Sequence, residues 1–142
     1  MIISFIGNVG FCKTGEKEKV LLAFLEKAVA DTHVCFYLRE SSSFDDFAYG
    51  VCKKYKETHP NARLCFVTPY ITESYQKKVL SKVRKKYDMV VYPEIEEKPL
   101  RLALLYRNRW MMKTSDFTVA HCRSKSTKYQ ANKKRGKRVF IL

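Results

Sequence analysis

The sequence predicts an α/β fold of the Rossmann-like, doubly wound kind: a mostly parallel sheet of about six strands with helices on both faces. Apolar runs of strand length alternate with amphipathic stretches of helix length along the whole chain, which is the pattern of repeated right-handed βαβ crossovers. The first run, Ile2 to Ile6, lacks polar alternation and so requires cover on both faces. With 142 residues, 46% of them hydrophobic, the chain has material for one substantial core, and it reads as a single domain over 1–142.

Glu16 to Ala30 follows as a helix, with Val20, Leu21, Phe24, Leu25 and Ala28 at three- and four-residue spacing. His33 to Leu38 is a second buried strand. Ser43-Phe44-Asp45-Asp46 opens the next helix, with Ser43 as N-cap and Asp46 at the third position, and it runs to about Thr58 before His59-Pro60. Arg63 to Thr68 is a strand, about Thr72 to Lys86 a helix with a basic outer face, and Met89 to Tyr92 a short strand; Pro69 and Pro93 end the two strands. Pro99 suits the first position of a helix that carries Leu100, Ala103, Leu104, Arg107, Trp110 and Met111 to about Lys113. Phe117 to His121 is the fifth strand, Thr127 to Arg135 a helix stopped by Gly136, and Arg138 to Leu142 the sixth strand.

Lys and Arg outnumber Asp and Glu by 28 to 14, a formal charge of +14, and no acidic residue follows Asp116. Such a field attracts polyanions and phosphorylated small molecules, or simply solvates a surface. No apolar run approaches the roughly 18 residues of a membrane span, and the opening segment lacks a basic flank and a long apolar region; the expectation is a soluble cytoplasmic protein without membrane contact. Five widely spaced cysteines without a CxxC pair, and three isolated histidines, read as buried thiols and packing residues rather than a zinc site. No metal or cofactor is expected.

In an open parallel sheet, ligands bind beyond the carboxyl ends of the strands, near the point where strand order reverses. That rule brings Gly7 to Gly10, Arg39 to Asp45, Thr68 to Tyr70, Tyr92 to Glu94 and Cys122 to Thr127 to one rim. The candidate ligand-binding residues are Gly7, Asn8, Ser43, Asp45, Arg107, Arg109, Ser124, Ser126 and Thr127. A hydroxyl-rich turn opening a basic helix, Ser124 to Thr127, supplies N–H groups and hydroxyls to a phosphate, or ordinary caps to the helix. Arg107 shares a face with apolar residues, so its head needs a buried partner: a ligand phosphate, or a carboxylate such as Asp45. Arg109, two positions on, faces elsewhere. Asp45 suits a ribose hydroxyl as acceptor, and equally a helix-start charge. Gly7 to Thr14 falls one residue short of a P-loop, because Cys12 stands where the second glycine is needed and Gly15 interrupts the helix start. Aromatic residues interleaved with basic ones, Tyr75, Tyr87, Tyr106, Trp110 and Tyr129, suit stacking on single-stranded bases or packing in the core.

Several of these segments together resemble the superfamily that unites DNA-processing protein A with the LOG (lysine decarboxylase-like) nucleotide phosphoribohydrolases, known as SLOG, and within it the small stand-alone members of unknown function. The likeness rests on Phe5-Ile6-Gly7-Asn8, on Ser43 to Tyr49, on Tyr106-Arg107-Asn108-Arg109-Trp110-Met111 followed by Ser115-Asp116, and on Lys134 to Leu142. It implies a Rossmann-like domain that binds a nucleotide or a nucleotide-derived molecule, and a homodimer. In the phosphoribohydrolase branch a glycine-rich PGGxGTxxE turn holds the phosphate and provides a catalytic glutamate. Here the turn reads Arg123-Ser124-Lys125-Ser126-Thr127 and the glutamate position falls on Gln130, which has no carboxylate to act as acid or base. Whether the chain is an enzyme stays open on these grounds, and Gln130 argues against it.

The first expectation is therefore a non-catalytic module, sensing or sequestering a nucleotide-derived phosphorylated ligand. The alternative is a single-stranded nucleic-acid-binding protein of the DNA-processing type, acting through its basic surface. A nucleotide phosphoribohydrolase is the weaker third.

Overall fold

The computed structural model describes residues 1–7, 10–30, 32–40, 42–121 and 138–142. Six strands form one sheet: β1 (Ile2–Gly7), β2 (Val34–Leu38), β3 (Ala62–Val67), β4 (Met89–Val91), β5 (Phe117–His121) and β6 (Arg138–Ile141). Their order is β4-β3-β2-β1-β5-β6 and every pairing is parallel. The chain thus steps outward from β1 to β4, then returns to the other side of β1, so strand order reverses between β1 and β5. In register, Gly7 lies beside His121, and these two strand ends mark the switch point. The α/β, Rossmann-like architecture expected from the alternation is the one observed.

The helices are α1 (Gly15–Val29), α2 (Ser43–Thr58), α3 over 73–83, and α4 (Ala103–Thr114), which is led in by a 3₁₀ turn at Leu100–Leu102. The first three cover one face. Leu21, Leu25 and Val29 of α1, Phe44, Phe47 and Val51 of α2, and Leu80 and Val83 of α3 join Ile3, Phe5, Phe36, Leu64, Phe66 and Val119 in one core. α4 lies on the other face, where Met111 and Met112 pack with Ile6, Val67 and Ala120. Each large buried apolar side chain contributes about 1.5–3 kcal/mol, so the first face dominates stability.

Several local expectations are corrected. Thr14 caps α1 by accepting from the Lys17 N–H (3.1 Å), so Gly15 opens the helix rather than interrupting it. Val20 is exposed, because the buried stripe of α1 runs through positions 21, 25 and 29. The N-cap of α2 is Ser42, and Ser43 is already helical. α3 is not a uniform α-helix, since its middle, Gln76–Leu80, is a π turn. β2 is covered on one face only: Cys35 and Tyr37 are half-buried, with Tyr37 stacked on Trp110 (5.6 Å, 8°). The reason is that α4 sits over β1 and meets β2 at its margin, where Tyr37 packs against Trp110 and the smaller core cluster. On α4 itself Leu100 and Leu104 are exposed, while Ala103, Arg107, Met111 and Met112 are buried.

Cysteine usage also divides. Cys52 and Cys65 are buried, Cys35 is half-buried and Cys12 is exposed. Burial and the neighbouring Cys35 push the Cys65 thiol up to about 12, which keeps it protonated and inert. Among the described residues no helix is long and apolar enough to cross a membrane, and no group of His, Cys, Asp and Glu side chains is arranged to hold a metal ion. The helix expected at 127–135 lies outside the described residues.

Candidate functional site

The carboxyl ends of β1 and β2 meet at a buried charge cluster. Arg39 follows β2 directly and is 4% exposed; its Nε donates to Asp45 Oδ1 (3.0 Å) and its Nη2 to the Gly7 carbonyl (2.7 Å). Asp45, 1% exposed in the first turn of α2, also accepts from the Ser42 hydroxyl at Oδ2 (3.2 Å). One carboxylate therefore ties the end of β2 to the start of α2, while the guanidinium it holds clamps the end of β1. Two charge-assisted bonds of this kind are about twice as strong as neutral ones.

Arg107 of α4 approaches the same cluster from the other face of the sheet and is 2% exposed. Its Nε donates to Asn108 Oδ1 (3.1 Å). Burial, with repulsion from Arg39, brings its pKa down to about 10, against the pull of Asp45, Tyr75 and Tyr70. It stays a cation at neutral pH. Two buried guanidinium groups thus lie within electrostatic reach of one buried carboxylate, and interactions at this depth are weakly screened.

The remaining candidates separate. Gly7 is a glycine of necessity, because a Cβ built there would lie inside the Phe44 ring. The close approach lets β1 end against α2. Gly10 adopts φ 93°, a conformation that side chains resist. Ser43 is exposed; its hydroxyl donates to the Phe11 carbonyl (3.2 Å), pinning the loop after β1 to α2. Arg109 is exposed as well, with its guanidinium 5.7 Å from the Tyr106 ring centroid, so it faces away from Arg107. Asn8, Ser124, Ser126, Thr127 and Gln130 lie outside the described residues. Of the rim residues expected from the sequence, the structure gathers Gly7, Asp45 and Arg107, adds Arg39, and leaves Ser43 and Arg109 to the side.

Arg39 is the member that the sequence reading missed as a site residue. Its signal was present: a single cation placed immediately after a buried strand, six residues before an acid in a helix start. Beside the switch point, His121 is held by Phe11 (4.8 Å, 78°) and Phe44 (6.1 Å, 19°), and its Nδ1 lies 3.2 Å from the Leu142 carbonyl. That geometry places the ring against the core as a packing group.

Three concavities bear on ligand binding. One of about 480 Å³ lies between α1 and α2, lined by Phe11, Lys13, Ser43, Phe47 and the acids Glu18 and Asp46. Its two carboxylates beside one lysine make it a poor host for an anion. Two others, of about 250 and 280 Å³, adjoin one another beyond β3 and β4, where Tyr70, Thr72 and Leu100 line both. A separate feature is the outer side of the α3 region, where Lys77, Lys78, Lys82, Arg84, Lys85 and Lys86 are all exposed; Lys77 pairs with Glu73 and Lys86 with Glu40, each at 3.0 Å.

No protein-family model matches the chain, and no curated protein matches its sequence.

Proposed function

We propose that this protein is a Rossmann-like module that binds a nucleotide or a nucleotide-derived phosphorylated ligand without turning it over, as a sensor or a sequestering protein. The observation that carries the reading is the buried Arg39–Asp45 pair at the carboxyl ends of β1 and β2, with the buried Arg107 cation within its electrostatic reach. An anion seated above it is attracted through a medium of low effective dielectric constant, where a unit charge at about 6 Å contributes on the order of 2–3 kcal/mol. The Ser124 to Thr127 turn, which follows β5 in sequence, is the segment assigned to the phosphate itself; Arg107 supports it through its field, and Asp45 organises the cluster. The reading further takes the chain to be a cytoplasmic homodimer of the SLOG superfamily, and Gln130 to have replaced the catalytic acid of the phosphoribohydrolases.

A second reading has its own observation. The exposed cations of the α3 region form a basic face on one side of the fold, suited to the backbone of single-stranded nucleic acid.

One titration separates the two. Thermal melts with nucleoside mono-, di- and triphosphates, cyclic nucleotides and ADP-ribose at millimolar concentration should show a saturable rise for at least one compound; a ligand at a hundred times its Kd adds about 2.7 kcal/mol. A flat panel, with an oligonucleotide that binds at low salt and is released steeply as salt rises, would replace the first reading by the second.

A further inference from the structure

The paired concavities beyond β3 and β4 belong to no part of the charge cluster, yet they open on the same rim. Each alone falls below the roughly 300 Å³ at which ligand pockets begin, and jointly they enter that range. Their walls are unusual for solvent-exposed surface. Tyr70 and Tyr75 meet edge to face at 5.2 Å, Tyr92 lines one of the two concavities together with Tyr70, and Leu100 leaves 66% of its surface in water. Such exposure of a large apolar side chain, in a concavity rather than on a convex face, marks a recognition surface.

The cleft is also held in shape. The Thr68 hydroxyl, buried at the end of β3, donates to the Tyr70 carbonyl at 2.7 Å and sets the turn that presents Tyr70. Leu100, Ala103 and Arg107 fall on one stripe of the 3₁₀ turn and α4, at i, i+3 and i+7. The Arg107 charge senses both Tyr70 and Tyr75. Leu100 and Arg107 are separated by about 12 Å along the axis, three residues of 3₁₀ rise and four of α rise, so one ligand can lie along that stripe with an aromatic end outward and an anionic end toward the cluster.

We infer that the Tyr70–Tyr75–Leu100 cleft is a nucleobase subsite: it takes the aromatic ring of the ligand whose phosphate the rim attracts. This rests on the proposed phosphate site and adds to it a requirement for a base. A planar ring slides between tyrosine and leucine walls at little conformational cost, because the tyrosines are already fixed by one another. The site then distinguishes nucleotides from sugar phosphates and inorganic phosphate, which the charge cluster alone does not.

The test is a calorimetric comparison of AMP, UMP and ribose 5-phosphate on the wild-type protein, on Tyr70→Leu and on Leu100→Ser, with a thermal melt of each variant as a folding control. The expected result is at least one nucleotide bound about tenfold or more tighter than ribose 5-phosphate, within the range that stacking on an aromatic side chain provides. Tyr70→Leu should bring that ratio to within about threefold and leave the affinity for ribose 5-phosphate unchanged. Should Tyr70→Leu melt early, Leu100→Ser, at an exposed position, decides in its place. Equal affinities in the wild-type protein, or a ratio that survives both substitutions, would overturn the base subsite and leave the phosphate site standing. Absence of binding by all three compounds, together with a flat response to the wider nucleotide panel, would remove both.

Discussion

Replacing Asp45 with alanine will lower the unfolding free energy by about 3–5 kcal/mol, the usual cost of stripping one partner from a buried ion pair. The physical reason is specific to this cluster. The substitution leaves the Arg39 and Arg107 guanidinium groups, both nearly inaccessible to water, without the carboxylate that stands near both of them. It also releases the Ser42 hydroxyl at the start of α2. Against a typical total of roughly 5–15 kcal/mol, the melting temperature should fall by about 10–20 °C for a chain of this size. Asp46→Ala is the control, because Asp46 is exposed in the same helix turn and stands to lose only about 0.3–1 kcal/mol of helix-dipole interaction. Equal losses in the two variants, measured by urea unfolding, would show that Asp45 is an ordinary helix-start acid.

Arg107→Met will behave in the opposite way. Burial and the Arg39 charge already work against this cation, and a well-packed apolar side chain of similar length often replaces a buried charge at no loss of stability. The variant should therefore match or exceed the wild-type melting temperature while losing about 10- to 100-fold in nucleotide affinity, the factor that corresponds to some 1.4–2.8 kcal/mol of missing attraction. Arg39→Met removes a cation of the same cluster and should also weaken nucleotide binding, but it should lose stability as well, because Arg39 holds both Asp45 and the Gly7 carbonyl. Calorimetry and thermal melts on the two variants check both halves. Unchanged affinity in Arg107→Met would make that arginine a structural residue.

The contrast between these arginines explains what was legible in the sequence. The strand and helix alternation is a property of local composition, and it placed all six strands to within a residue or two of their observed ends. Parallel pairing followed from the alternation, the rule that ligands sit beyond the carboxyl ends of such a sheet brought Gly7 and Asp45 to one rim, and the apolar surroundings of Arg107 pointed it to a buried partner such as Asp45. The sequence marked Arg39 and Asp45 as charges flanking the rim, but their contact was not legible, because a six-residue separation becomes an ion pair only in the folded chain. Nor were the faces of α1 and α4 drawn correctly. A 3.6-residue period defines an apolar arc, but Val20 and Leu104 lie at its borders, and only the position of the helix over the sheet decides which border is covered. The single-sided cover of β2 has the same origin: an apolar run such as Val34 to Leu38 does not state which neighbours will arrive. Residues 122–137, to which the sequence assigned the phosphate turn, lie outside the described segments, so that assignment stands as a proposal on sequence grounds.

The most direct measurement of the central claim is amide chemical-shift mapping during titration with the nucleotide that raises the melting temperature most. The account predicts saturable shifts that cluster at Gly7, Gly10, Arg39 to Asp45 and Arg107, the rim above the Arg39–Asp45–Arg107 cluster. Shifts confined to the exposed lysines between 77 and 86, with the rim unmoved, would contradict it.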